Sequence, residues 1–63
     1  MLNMKLERIR KNMSQQELAD AIGVKSHVVS RWETGVNYPS IENLLKVSEV
    51  LNVSVDYLLG KVK

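Results

Sequence analysis

The segment that decides the fold is SQQELADAIGVKSHVVSRWETG, residues 14–35. Ser14 followed three residues later by Glu17 forms a capping box, in which the hydroxyl and the carboxylate each satisfy a backbone N–H that a first helical turn leaves open. Met13 and Leu18 flank the box as a hydrophobic staple, and Leu18, Ala19 and Ile22 then fall on one helical face. Gly23 ends this helix because glycine enters the left-handed region without a Cβ penalty. Val24 returns to the core and a new helix starts almost at once, so two helices meet at a sharp angle. At about 100° per residue, Val24, Val28, Val29 and Trp32 of the second helix share one arc, and Ser26, His27, Ser30, Arg31 and Thr34 the opposite one. Gly35 stops it.

Outward from this pair, the chain reads as helical throughout, since no segment alternates apolar and polar residues over a strand's length. A first helix over residues 3–11 takes Asn3 as its N-cap and turns Leu6 and Ile9 inward. The only proline, Pro39, lies in a loop over residues 36–39. Ser40 caps a fourth helix with Ile41, Leu44, Leu45 and Leu51 inward, closed by Asn52. Ser54 caps a short fifth helix with Asp56 in its first turn, where the helix dipole favours an anion, and Gly60 ends it. The expected architecture is all-α: a compact bundle of five short helices forming a single domain over residues 1–63, with the angled pair at about 14–34 and the C-terminal helices within 40–60.

Composition narrows the function. A 63-residue chain sits near the lower size at which one apolar core stabilises a fold unaided. Cysteine is absent, so neither disulfides nor a thiolate metal site supplement that core, and a cytoplasmic address is expected. Apolar runs are far shorter than the roughly 20 residues that span a bilayer, and no secretory segment is recognisable, so no membrane association is expected. Net charge is only +2, but it is unevenly placed. Lys5, Arg8, Arg10 and Lys11 gather near the N-terminus, whereas Glu42, Glu49 and Asp56 outnumber Lys46 near the other end, an asymmetry that suits a nucleic-acid-facing side. His27 is a lone histidine without partners for a metal. No phosphate loop, metal cluster or nucleophile with a nearby base can be assembled, which argues against an enzyme and against a cofactor.

The ordered motifs Ser14–Ala19, Gly23-Val24, Val29–Gly35 and Tyr38-Pro39-Ser40, with the terminal Val53–Leu59, resemble the phage Cro and CI repressor type of helix-turn-helix domain over nearly the whole chain. The resemblance implies a lambda-repressor-like bundle whose second and third helices form the helix-turn-helix. It also implies a regulator that binds double-stranded DNA with the third helix in the major groove. The physics agrees, because an α-helix with an unobstructed polar face fits the groove in which base edges present a distinguishable pattern of donors and acceptors. The implied base contacts fall on Lys25, Ser26, His27 and, one turn later, Arg31, whose guanidinium can donate two hydrogen bonds to a guanine. Phosphate contacts fall on Gln15, Ser30, Thr34, Asn37, Tyr38 and Ser40. Trp32 shares its arc with Val24 and Val28 and belongs to the core rather than to a stacking surface.

Two departures from the family pattern stand out. Lys25 occupies a place that commonly holds a capping Ser or Thr, so either Ser26 caps the third helix one residue later or the helix end frays and frees the lysine. Glu7 stands where a leucine is frequent. The resemblance pairs Glu33 with Arg8 of the first helix; a rotated first helix would bring Arg10 there instead and leave Arg8 for phosphate. Val55, Leu58 and Val62, at i, i+3 and i+7 on the last helix, form a candidate dimer patch. The function these features imply is a repressor that binds a palindromic operator as a homodimer. A DNA-binding antitoxin, or a helical protein-interaction domain whose activity survives substitution of Arg31 or His27, are the other readings.

Overall fold

The computed structural model describes the backbone of residues 2–60 and the side chains of residues 3–60, and within them the chain forms five helices and no strand. These are α1 (Leu2–Arg10), α2 (Gln15–Ile22), α3 (Ser26–Thr34), α4 (Ile41–Leu51) and α5 (Val55–Leu58). The expected all-α bundle is the observed one.

The α2–α3 unit forms as its sequence dictates. The Ser14 Oγ accepts from the Glu17 N–H at 3.0 Å, and the Glu17 carboxylate accepts from the Ser14 N–H at 2.8 Å. Gly23 closes α2 at φ 81°, ψ 30°, donating to the Ala19 carbonyl at 2.9 Å, to which Val24 also donates at 3.0 Å. Two residues later α3 begins, and the two helices pack extensively against each other. Their shared apolar faces supply Leu18, Ala19, Ile22, Val29 and Trp32 to one core, which Met4, Val47, Leu51 and Leu58 complete from the other helices. Each large side chain fully withdrawn from water contributes about 1.5–3 kcal/mol.

Two helices are phased differently from expectation. In α1, Leu6 and Ile9 face solvent, while Met4, Glu7 and Arg8 are buried. The helix turns a partly polar stripe inward because both charged residues find partners there, which removes the penalty that otherwise keeps charges out of a core. Asn3 is also no cap: it lies inside the first turn, and its Nδ2 donates to the Tyr57 carbonyl at 2.7 Å, tying α1 to α5. In α4, Val47 and Leu51 are buried and Leu44 packs beside them, but Ile41 and Leu45 are exposed. Positions 44, 47 and 51 form a narrow arc that already fills the space above α2, leaving Ile41 and Leu45 outside it.

Asn52 closes α4 in the left-handed conformation at φ 56°. The Ser54 Oγ then accepts from the Tyr57 N–H at 3.0 Å to start α5. Leu58, expected on a dimer patch, is instead 2% exposed within the chain's own core. A four-residue helix packed against α1 and α4 has one fully inward position, and Leu58 occupies it. Val55 is half-buried, and Val62 lies outside the described residues.

Candidate nucleic-acid interface

The outer arc of α3 is the surface that the fold leaves open. Val29, Trp32 and Glu33 are buried, and Val28 packs against the core, so rotation about the helix axis is fixed. The opposite side exposes His27, Arg31 and Thr34, at i, i+4 and i+7, with Lys25 exposed at the entry. Ser26 and Ser30 are half-buried beside that stripe. Among the described residues no ion pair engages Arg31 or Lys25, so both charges are available to an external anion or base edge.

The entry of α3 follows neither alternative drawn from the sequence. Lys25 itself takes the N-cap position at φ −87°, ψ 152°, with no side-chain capping bond, and Ser26 is the first helical residue. The backbone is ordered into a cap without its usual acceptor. That end of α3 therefore combines a helix N-terminus with a lysine ammonium, an arrangement that attracts negative charge.

One buried network sets the angle of α3 against α1 and α2. Arg8 Nε donates to Glu33 Oε2 at 2.7 Å and its Nη2 to Glu33 Oε1 at 3.1 Å, the paired geometry characteristic of arginine and carboxylate. Arg8 Nη1 donates to the Met13 carbonyl at 2.7 Å, holding the α1–α2 turn. The partner of Glu33 is thus Arg8, as the family resemblance implied, and the geometry leaves Arg8 no role at phosphate. Gln15 belongs to the same network, since its Nε2 donates to Glu33 Oε1 at 3.0 Å. Its side-chain amide is thus turned inward to a carboxylate.

Arg10 pairs elsewhere. Its Nη1 donates to Glu7 Oε1 at 3.0 Å, and the Tyr57 hydroxyl donates to the same oxygen at 3.1 Å. Partial burial, then the hydrogen bond to Glu7 and that residue's negative charge, raise the Tyr57 hydroxyl above the ordinary tyrosine value, while the charge of Arg10 opposes the shift. Sequence reasoning missed this cluster. Its one signal was an acid at a place where the family tends to carry leucine, three residues before an arginine.

Beyond α3, the chain closes back on the helix: Val36 N–H donates to the Arg31 carbonyl at 3.0 Å and Asn37 N–H to the same oxygen at 3.3 Å. Thr34 Oγ1 donates to the Ser30 carbonyl at 3.0 Å. Asn37, Tyr38 and Ser40 are exposed in the following loop, although Ser40 Oγ also caps α4 by accepting from the Asn43 N–H at 3.2 Å. No group of three or more His, Cys, Asp or Glu among the described residues is placed to hold a metal ion. No helix among them is long and apolar enough to cross a membrane.

Comparison with known proteins decides the family, because a helix-turn-helix family model matches residues 4–58. The chain belongs to the Cro/CI-type (XRE) helix-turn-helix family. It is 39% identical over 60 residues to the HTH-type transcriptional activator BcrR of Enterococcus faecalis, covering 92% of this chain and 29% of that protein. With the cryptic phage CTXphi transcriptional repressor RstR of Vibrio cholerae it shares 36% identity over 50 residues, 79% of this chain and 45% of that one. The chain thus spans less than half the length of these curated relatives. Its fold is similar to the P22 c2 repressor solved with a synthetic operator, with a TM-score of 0.89 at 34% identity, covering 94% of this chain and 89% of that one. In this helix-turn-helix, α2 and α3 are the defining pair, and the family is one of DNA-binding transcription regulators rather than enzymes.

Proposed function

We propose that the protein is a sequence-specific repressor that binds a palindromic operator as a homodimer, with α3 of each copy in the major groove. The observation that carries this is the stripe of His27, Arg31 and Thr34, exposed on a helix whose other face is locked by Val29, Trp32 and the Arg8–Glu33 pair. A reading helix must be rigid behind and polar in front. Arg31 takes a guanine, His27 and Ser26 contact adjoining base edges, and Lys25 reaches a base or a phosphate at the helix entry. Ser30, Thr34, Asn37, Tyr38 and Ser40 meet the backbone, and Gln15 meets it through its main-chain N–H at the start of α2. Repression follows from occupying promoter DNA in the cytoplasm. The names of RstR and the P22 c2 protein favour repression over the activation that BcrR's name carries.

Selection of binding sites from random duplex DNA tests the proposal. A two-fold-symmetric site is expected, with half-sites one helical turn apart. Recovery of no enriched sequence at low salt overturns it.

A further inference from the structure

We propose that the second copy docks on the exposed face of α4 formed by Ile41 and Leu45, with Tyr38 of the preceding loop beside it, and not on α5. This rests on the homodimer reading above and assigns it a surface. Ile41 and Leu45 are 79% and 50% exposed, lie one turn apart on one side of α4, and follow closely on Tyr38, itself 73% exposed. They leave the core because positions 44, 47 and 51 fill it, so their apolar character has no use inside the chain. The face originally expected, on α5, has lost Leu58 to the core.

Charge and size indicate a second copy of this chain as the occupant. Glu42 and Lys46 are exposed one turn apart along the edge of the same stripe. A two-fold axis perpendicular to α4 sets the two copies of that helix antiparallel, and in the register that brings Ile41 to the partner's Leu45, Glu42 comes near the partner's Lys46. The surface is therefore complementary to itself in charge as well as in polarity. The molecule measures 28 × 23 × 19 Å, whereas recognition helices on adjacent half-sites lie about 34–36 Å apart, so two copies on one operator touch only at an edge. The loop and α4 follow α3 in the chain and are the segment assigned to that edge. A patch of three side chains is well below the roughly 800 Å² per partner of a stable complex, so the dimer forms mainly on DNA.

The absence of cysteine makes a direct test available. Single variants Ile41→Cys and Leu45→Cys, with Leu6→Cys as a reference on the other exposed apolar helix face, are treated with a short bismaleimide. Each is treated alone at high protein concentration, on a half-site duplex, and on the full two-fold duplex. Folding of each variant is checked by circular dichroism. Cross-linked dimer is expected from Ile41→Cys and Leu45→Cys, at least tenfold more on the full duplex than on the half-site, and not from Leu6→Cys. Cross-linking through position 6 alone overturns the assignment, as does two-copy occupancy of the full duplex without cross-linking at 41 or 45. Should no duplex bind specifically, the operator reading fails by itself, and the protein-only arm still decides the surface: cross-linking at 41 and 45 upholds it, and none overturns it.

Discussion

Glu33 shows how much of this fold depends on a single side chain. Its side chain is 2% exposed and its carboxylate receives two hydrogen bonds from Arg8 and one from Gln15. Glu33→Ala leaves the buried Arg8 guanidinium without its counter-charge, with only the Met13 carbonyl still accepting from it, and removing one partner of a buried ion pair costs about 3–5 kcal/mol. For a domain of this size that is most of the total stability, so the urea midpoint of the variant is expected near zero denaturant. Replacing Arg8 and Glu33 together by apolar residues of similar volume is expected to restore much of the loss. Tyr57 gives a pH test. A tyrosine with a raised pKa in the folded state contributes stability that is fully present below the unfolded value and lost as pH rises through the folded one. Unfolding followed from pH 8 to 12 is expected to show an alkaline loss that is shallower in Tyr57→Phe. At this scale the sequence was partly legible. The Arg8–Glu33 pair followed from the family likeness, but the Glu7–Tyr57 contact did not, because it joins residues 50 apart and no local pattern encodes it.

Among the elements, the five helices and most of their caps were legible, whereas the rotation of α1 and of part of α4 was not, for one physical reason. Caps and glycines are local: Ser14, Glu17, Gly23 and Gly35 act within a turn of themselves, and each does what its residue type dictates. Helix rotation is not local. It depends on which stripe finds partners, and an apolar count over α1 favoured Leu6 and Ile9 over the stripe of Met4, Glu7 and Arg8 that the protein buries. The entry of α3 lacks the bond that usually secures a helix start. Lys25 sits in cap geometry without a cap bond. Lys25→Ser is expected to raise stability by about 1 kcal/mol, through a hydroxyl that accepts an open N–H. The same change is expected to weaken operator binding, since a cation is lost at the groove. Thermal melts and anisotropy titrations on one preparation check both signs.

Across the whole molecule, the arrangement separates two duties. The buried faces of α2 and α3, together with the Arg8–Glu33–Gln15 network, make the platform, while the outer arc of α3 exposes the side chains of His27 and Arg31 away from it. Of the residues expected on a dimer patch at the last helix, Leu58 is in the chain's own core instead, because a small bundle has few core positions and α5 fills one of them with it. The central claim is that Arg31 reads a base. The measurement closest to it is competition binding of the wild-type and Arg31→Ala proteins across operators substituted one base pair at a time. The wild-type protein is predicted to lose about 5- to 150-fold, corresponding to roughly 1–3 kcal/mol, at one symmetric G·C pair, and Arg31→Ala to bind that substituted operator as well as the unsubstituted one. Equal weakening of every operator by Arg31→Ala, with the wild-type preference at that pair intact, would contradict the account.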